Sequence, residues 1–425
     1  MYEIRPVSKE RERAFLVTVV RPGKEVLDLE GRLDEFETLA SSCGAVIAGH
    51  EVCRVKKIRA DLFIGGGKAE EVLLKLQELK ANLVIFNNDL SPSQQKNLEE
   101  KFKARVIDRT QLILDVFARR ATSTEGKVQV ELAQLIYLLP RLSRLWAHFS
   151  KQAGGIGTRG PGEQQLEVDR RKVRERISRL KKELSSITGQ RDLRRNRREK
   201  FSMLSVALVG YTNSGKSTLF NALTSARVKT KDQFFSTLDP TVRKKDLSNN
   251  QIILLSDTVG FLNDLPHHLI ESFKATLEEV VDADILLHVV DMSDKLIDEK
   301  TGAVMQVLND ISSSDKPIFT VLNKSDAVPE GGQRERIKRK FPEAVTVSAL
   351  EKKGLGQIDD MIIRYMGKDV EDMEIMLPPK HYPAAAIIRE RGTVVSEEYT
   401  DEGLFIKARV PRKVKNQIFK TLKAG

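Results

Sequence analysis

Over the first 125 residues, short apolar runs alternate with stretches of helical amphipathicity. "AFLVTVV" at 14–20 is apolar almost throughout and predicts a buried strand. Leu29, Leu33, Phe36, Leu39 and Ala40 then recur at helical spacing, and Gly44 follows as a stop. "VIAGHEV" at 46–52, the run Leu83–Phe86 and "ARVID" read as further strands. Helices are expected between them, one after "IGGGKAEE" at 64–71 and one capped by Ser91 with Pro92 in its first turn. Strands alternating with helices predict βαβ units and a parallel sheet. The run "IGGGKAEE" lacks the spacing of a phosphate loop. It reads as a glycine turn before a helix, with a nucleotide or RNA phosphate contact as the alternative.

The pattern changes over residues 127–200. Leu132, Leu135, Leu139, Leu142, Trp146 and Phe149 step by three and four. Leu166, Val173, Ile177, Leu180, Leu184 and Ile187 form a second such stripe. Two heptad-like stripes around a connection predict an antiparallel helical hairpin. The connection "KQAGGIGTRGPGEQQ" at 151–165 far exceeds the roughly two to five residues that such a hairpin needs. Long loops of this kind are usually functional or disordered. Rich in glycine, with Lys151 and Arg159, it suits close backbone approach to RNA phosphate. Arg170, Arg171, Arg174, Arg194, Arg195, Arg197 and Arg198 line the following helix.

Composition sharpens this. With 71 Lys and Arg against 60 Asp and Glu, the net charge is +11. Such an excess favours a polyanionic partner: nucleic acid, ribosome or acidic membrane surface. A hydrophobic fraction of 40% describes a globular protein, and 425 residues suit several domains. No apolar run reaches the ~18 residues of a membrane span, and no secretory leader is visible. Cys43 and Cys53 make no disulfide framework, so a reducing cytoplasm is expected. No Cys/His cluster has zinc spacing.

"VALVGYTNSGKSTLFNAL" at 206–223 carries the chemistry. Gly210, Tyr211, Thr212, Asn213, Ser214, Gly215, Lys216 and Ser217 follow a β-branched strand and open a helix, the context a phosphate loop requires. The glycines let backbone N–H groups face phosphates. Lys216 would serve the β- and γ-phosphates, and the Ser217 hydroxyl would ligate Mg²⁺. Downstream, Asp257, Thr258, Val259 and Gly260 end an apolar strand. Asp257 is expected to hold Mg²⁺ through water, and the Gly260 N–H to sense the γ-phosphate. Asn323, Lys324, Ser325 and Asp326 end another strand. The Asp326 carboxylate can accept from guanine N1–H and the 2-amino group, a pattern adenine does not offer. Ser348, Ala349 and Leu350 place a backbone N–H where guanine O6 would lie. Four boxes in this order predict a guanine-nucleotide site for GTP and GDP. A threonine must also reach Mg²⁺ from the intervening loop. Thr230, Thr237 and Thr241 are candidates, and position favours Thr237, within Phe235, Ser236, Thr237, Leu238 and Asp239. Lys216, Thr237 and Gly260 form the expected catalytic set. Phe261 stands where many such switches place a water-orienting glutamine. Either it makes hydrolysis conditional on docking, or it only packs switch loops while another group positions the water.

Together, "GYTNSGKSTLFNAL", "FFSTLDPT", "DTVGF", "NKSD", "SAL" and above all "GGIGTRGPGE" resemble the HflX family of translation-factor-related GTPases. The resemblance extends to "VIFNNDLSPSQQKNLE" and "EGKVQVELAQLIYLLPRL", and so to nearly the whole chain. It implies a cytoplasmic GTPase that binds the large ribosomal subunit and splits stalled or idle ribosomes. It implies Thr237 as the Mg²⁺ ligand and a tip that reaches ribosomal RNA near the peptidyl-transferase region. The family shares a hydrophobic residue at the Phe261 position. Its members are also credited with ATP binding through the N-terminal region, for which this sequence has no clean motif.

The expected fold is a multidomain α/β protein. It comprises an N-terminal α/β domain (1–125), an antiparallel helical hairpin arm (126–200), a P-loop GTPase domain with a mostly parallel sheet (201–368) and a small C-terminal α+β domain (369–425). That last part is expected to open on a Pro-Pro linker, with strands near 384–389, 393–399 and 403–410 and a basic helix after Pro411. A monomer is the expectation, and weak peripheral membrane contact through the basic surface stays open. The competing readings are an RNA-binding anti-association module and an RNA-remodelling NTPase.

Overall fold

The computed structural model describes residues 12–20, 29–145, 161–200, 203–224, 241–249, 251–262, 274–368 and 370–411, with 414, 415, 418, 419 and 422. The first strands are β1 (Arg13–Val20), β2 (Val46–Arg54), β3 (Leu83–Phe86) and β4 (Arg105–Ile107), in the order β2-β1-β3-β4. All pairs are parallel. The crossovers run through α1 (Leu29–Ser42), α2 (Gly66–Glu78) and α3 (Pro92–Phe102), and α4 (Arg109–Arg120) follows β4. The two-residue period of a strand divides β1 between two cores. Ala14 and Leu16 pack with Phe36, Leu39 and Ile113, whereas Phe15, Val17 and Val19 pack with Val72 and Leu98. Ser91 caps α3 as expected: its hydroxyl accepts from the Gln94 N–H at 3.2 Å, and the Gln94 side chain accepts from the Ser91 N–H at 2.9 Å. In the glycine run, Gly65 precedes α2 and Lys68 pairs with Glu51 and Glu71 at 2.8 and 2.6 Å. This is the turn before a helix.

The arm is α5 (Thr124–Leu145) and α6 (Pro161–Lys200). Val128, Leu132 and Leu180 form its seam, flanked by Leu135, Ile136, Ile177 and Leu184. Arg176 clasps Glu131 with two bonds of 2.8 Å. The α5 helix has a second buried face, missed by the single-stripe reading. Val130, Ala133 and Tyr137 join the core of the N-terminal sheet, while Leu139 is only half-buried. Arg141 fastens this junction, donating to Asp108 at 3.0 Å, the Leu90 carbonyl at 2.9 Å and Gln95 at 3.0 Å. The connection at 151–160, with Lys151 and Arg159, lies outside the described residues, as do Trp146 and Phe149. So do the side chains of Leu166, Arg194, Arg195, Arg197 and Arg198.

The second sheet has the order β10-β9-β8-β5-β7-β6. Its strands are β5 (Leu204–Val209), β6 (Thr241–Asp246), β7 (Ile252–Asp257), β8 (Ile285–Asp291), β9 (Ile318–Asn323) and β10 (Val345–Thr346). Only β6, at the edge, runs antiparallel. Around it lie α7 (Lys216–Thr224), α8 (Lys274–Asp282), α9 (Ile297–Asp310), α10 (Gly332–Lys340) and α11 (Gly356–Lys368).

The C-terminal part corrects the sequence reading. Residues 384–389 are not a strand but part of α12 (Tyr382–Arg391). Pro383 suits a first helical turn, alanines favour helix, and Ala384, Ala385 and Ile388 are buried along one face. The missing strand is β11 (Val370–Leu377), where a linker was expected. Met373, Ile375 and Leu377 alternate inward along it. It pairs antiparallel with β13 (Gly403–Pro411), which also pairs with β12 (Thr393–Thr400). Among the described residues no helix is long and apolar enough to cross a membrane.

Candidate functional site

Parallel strands deliver their C-terminal ends to one edge of a sheet, where ligands of open α/β folds bind. Here β5 ends at Val209 and continues into Gly210–Ser217, β7 ends at Asp257, β8 at Asp291 and β9 at Asn323. The loop after β5 needs its glycines. A Cβ on Gly210 would lie 2.4 Å from the Val289 carbonyl oxygen, and one on Gly215, at φ +87°, would lie 2.2 Å from Asn323 Nδ2.

Lys216 begins α7 and is buried. Its Nζ donates to the carbonyls of Gly210 at 3.0 Å and Tyr211 at 2.8 Å. An ammonium has three N–H bonds, so a third remains for an anion. Burial pulls the Lys216 pKa down to about 8, against the pull of Asp257. A phosphate would counter the burial and favour the charged form.

Asp257 pairs with Leu208 across the sheet and is fully buried beside this lysine. The Ser217 hydroxyl and the Asp257 carboxylate are hard oxygen donors of the kind Mg²⁺ takes. Among the described residues no group of three or more His, Cys, Asp or Glu could hold a metal ion. The Thr258 hydroxyl donates to the Leu208 carbonyl, and Val259 is buried, so both secure the strand end. Gly260 lies against the phosphate loop: a Cβ there would be 2.8 Å from Thr212 Cγ2 and 3.1 Å from Lys216 Nζ.

Phe261 is only 2% exposed. Its N–H donates to the Gly210 carbonyl at 3.1 Å, and its carbonyl accepts from the Thr212 N–H at 2.8 Å. The side chain belongs to a core that also holds Tyr211, Phe36 and Leu39. It packs, joining the phosphate loop to the segment after Asp257.

Asn323 organises the opposite side of the site. Its Nδ2 donates to the Ser214 carbonyl and its Oδ1 accepts from the Ala349 N–H, both at 3.0 Å. Lys324 turns the chain with φ 58° and pairs with Asp291 at 2.7 Å. The Ser325 N–H donates to the Val347 carbonyl at 3.2 Å. The Ser348 hydroxyl donates to Asp326, and Leu350 is exposed at the rim. Phe235, Ser236, Thr237, Leu238, Asp239 and Thr230 lie outside the described residues, while Thr241 opens β6 opposite Asp257.

Sequence reasoning missed two participants. Asp291, which steadies Lys324, is an ordinary strand-end acid with no box to mark it. Glu35, from α1, accepts from the Tyr211 hydroxyl at 2.8 Å across 176 residues of chain. No local signal joins positions that far apart.

Residues 205–324 match the family described as 50S ribosome-binding GTPase. Residues 30–118 match the GTP-binding GTPase N-terminal family, and 120–198 the GTP-binding GTPase Middle Region. The GTPase HflX of Caldanaerobacter subterraneus subsp. tengcongensis is 42% identical over 415 residues, covering 97% of this chain and 94% of that one. The GTPase HflX of Escherichia coli strain K12 is 44% identical over 375 residues, covering 87% and 86%. A GTP-binding protein from the archaeon Sulfolobus solfataricus, solved in complex with GDP, is 25% identical, with a TM-score of 0.43 over 83% of this chain and 98% of that one.

Proposed function

From a chain that belongs to the GTPase HflX family and hydrolyses GTP, we propose a ribosome-gated enzyme that docks on the large subunit and dissociates stalled or idle ribosomes. The observation that carries docking is the outer face of α6, where Arg171, Lys172, Arg174, Arg179, Lys181 and Lys182 are exposed. A cationic stripe on a long arm meets the phosphate backbone of RNA and makes binding salt-dependent. The protein then works in the cytoplasm, as a monomer in four parts: 1–125, 126–200, 201–368 and 369–425.

In this reading Gly210–Ser217 wrap the phosphates, and Lys216 neutralises charge between the β- and γ-groups. Ser217 and Thr237, with Asp257 through water, would hold Mg²⁺, which would offset the charge that develops on the phosphate oxygens. The Gly260 N–H meets the γ-phosphate. Asn323–Asp326 and Ser348–Leu350 select guanine, with the Ser348 hydroxyl orienting the Asp326 carboxylate. Positioning and electrostatics supply most of the rate in this chemistry. A buried phenyl at 261 cannot orient water, so intrinsic turnover is slow and docking completes the site. The test is subunit separation with a non-hydrolysable GTP analogue at two salt concentrations. Separation that needs the triphosphate form and weakens with salt supports the proposal. Separation indifferent to nucleotide and salt contradicts it.

A further inference from the structure

The pattern of a phosphate loop leaves its second position free, so nothing in phosphate binding asks for a phenol at Tyr211. Here the phenol is used across a domain boundary. Its hydroxyl donates to Glu35 Oε2 on α1 at 2.8 Å. The other oxygen of Glu35 accepts from Arg109 Nη2 at 3.2 Å, and Arg109 Nη1 donates to Asn87 at 2.6 Å. Arg109 and Glu35 are largely shielded, with side chains 10% and 9% exposed. Hydrogen bonds to a charged, shielded carboxylate are among the stronger ones.

Further contacts hold the same junction. Lys300 of α9 sits 4.9 Å from the centre of the Tyr211 ring. Arg32 of α1 pairs with Glu299 of α9. Tyr211 and Phe261 share one hydrophobic core with Phe36, Leu39, Ile113 and Phe117 of the N-terminal domain.

The Tyr211 carbonyl is one of the two that aim Lys216 Nζ. We infer that Glu35, held by Arg109, is a positioning residue for the nucleotide site. It fixes Tyr211, and through the Tyr211 carbonyl it fixes Lys216. The N-terminal domain thereby sets how tightly the phosphate loop holds guanine nucleotide. Coupling of this kind is reciprocal, so bound nucleotide in turn steadies the docking of the N-terminal domain.

The test is the release rate of fluorescently labelled GDP from the full-length protein without ribosomes, with melting temperatures alongside. Tyr211→Phe removes one hydroxyl and leaves the Glu35–Arg109 pair intact. It should speed GDP release about three- to tenfold, at a nearly unchanged association rate. Glu35→Gln keeps an acceptor oxygen and should give a smaller increase. The double variant should release GDP no faster than Tyr211→Phe alone, because both changes act through the same bond, which Tyr211→Phe already removes. Release at the wild-type rate from Tyr211→Phe would overturn the inference, even with a lowered melting temperature. So would effects that multiply in the double variant. Ribosomes are absent throughout, so neither outcome depends on the ribosomal proposal.

Discussion

Asn323 Nδ2 donates to the Ser214 carbonyl at 3.0 Å, hooking the end of β9 onto the phosphate loop. Its Oδ1 accepts from the Ala349 N–H at 3.0 Å, so one buried amide ties three of the four sequence boxes together. Asn323→Ala leaves a buried carbonyl and a buried N–H without these partners, each at a cost of about 1–3 kcal/mol. Affinity for GDP and GTP should fall together by at least about tenfold. Equilibrium titration with both nucleotides measures this, and unchanged affinity would contradict the bridging role.

Phe261 packs, which sets the expectation for Phe261→Gln. A glutamine amide in the core with Phe36 and Leu39 lacks hydrogen-bond partners and should cost about 1–3 kcal/mol of stability. It should not raise intrinsic GTP hydrolysis, because position 261 faces that core. Denaturant unfolding and single-turnover hydrolysis check the two halves. A marked rise in the rate would show that the side chain reaches the attacking water.

The hydroxyl of Ser348 donates to Asp326 and accepts from the Glu351 N–H at 3.0 Å. Removing it in Ser348→Ala frees the carboxylate to rotate. Guanine affinity should drop about threefold to tenfold, while weak binding of adenine nucleotides stays the same. Competition titrations with GDP and ADP separate these effects. An equal loss for both would locate the damage in the phosphate loop instead.

His288 lies in the centre of the sheet, opposite Val209 on β5 and Thr320 on β9. Burial, with the nearby positive Lys216, lowers its pKa from 6.5 to about 4. Between those values the unfolded chain binds more protons. This contribution to stability is therefore fully present above about pH 6.5 and is lost as pH falls toward 4, by about 2 kcal/mol between pH 7 and pH 5. His288→Leu removes that component, so the variant should lose about 2 kcal/mol less than wild type over this range. Urea unfolding at the two pH values measures it, and equal losses would mean that other groups govern acid sensitivity.

Much of this molecule is legible in the chain because its signals are local. The alternation along β1, the Ser91 cap and the loop glycines each act within a few residues. Misreadings arose where a local pattern has two solutions. "AAAII" at 384–388 is a short apolar run, which periodicity alone cannot assign to helix or strand. The alternation Met373, Ile375, Leu377 is present in the chain but runs directly into Pro378 and Pro379, which read as a linker. The second face of α5 and the bond from Tyr211 to Glu35 depend on what packs alongside. Tertiary contact decides these, and a single sequence carries no mark of it.

We propose that the large ribosomal subunit completes this GTPase. The most direct test is steady-state GTP hydrolysis with and without purified large subunits, at low and high salt. Strong stimulation at low salt that fades at high salt is the expected result, since neutralised phosphates make docking salt-dependent. Equal rates under all four conditions would contradict it and would mean that the site orders its own water.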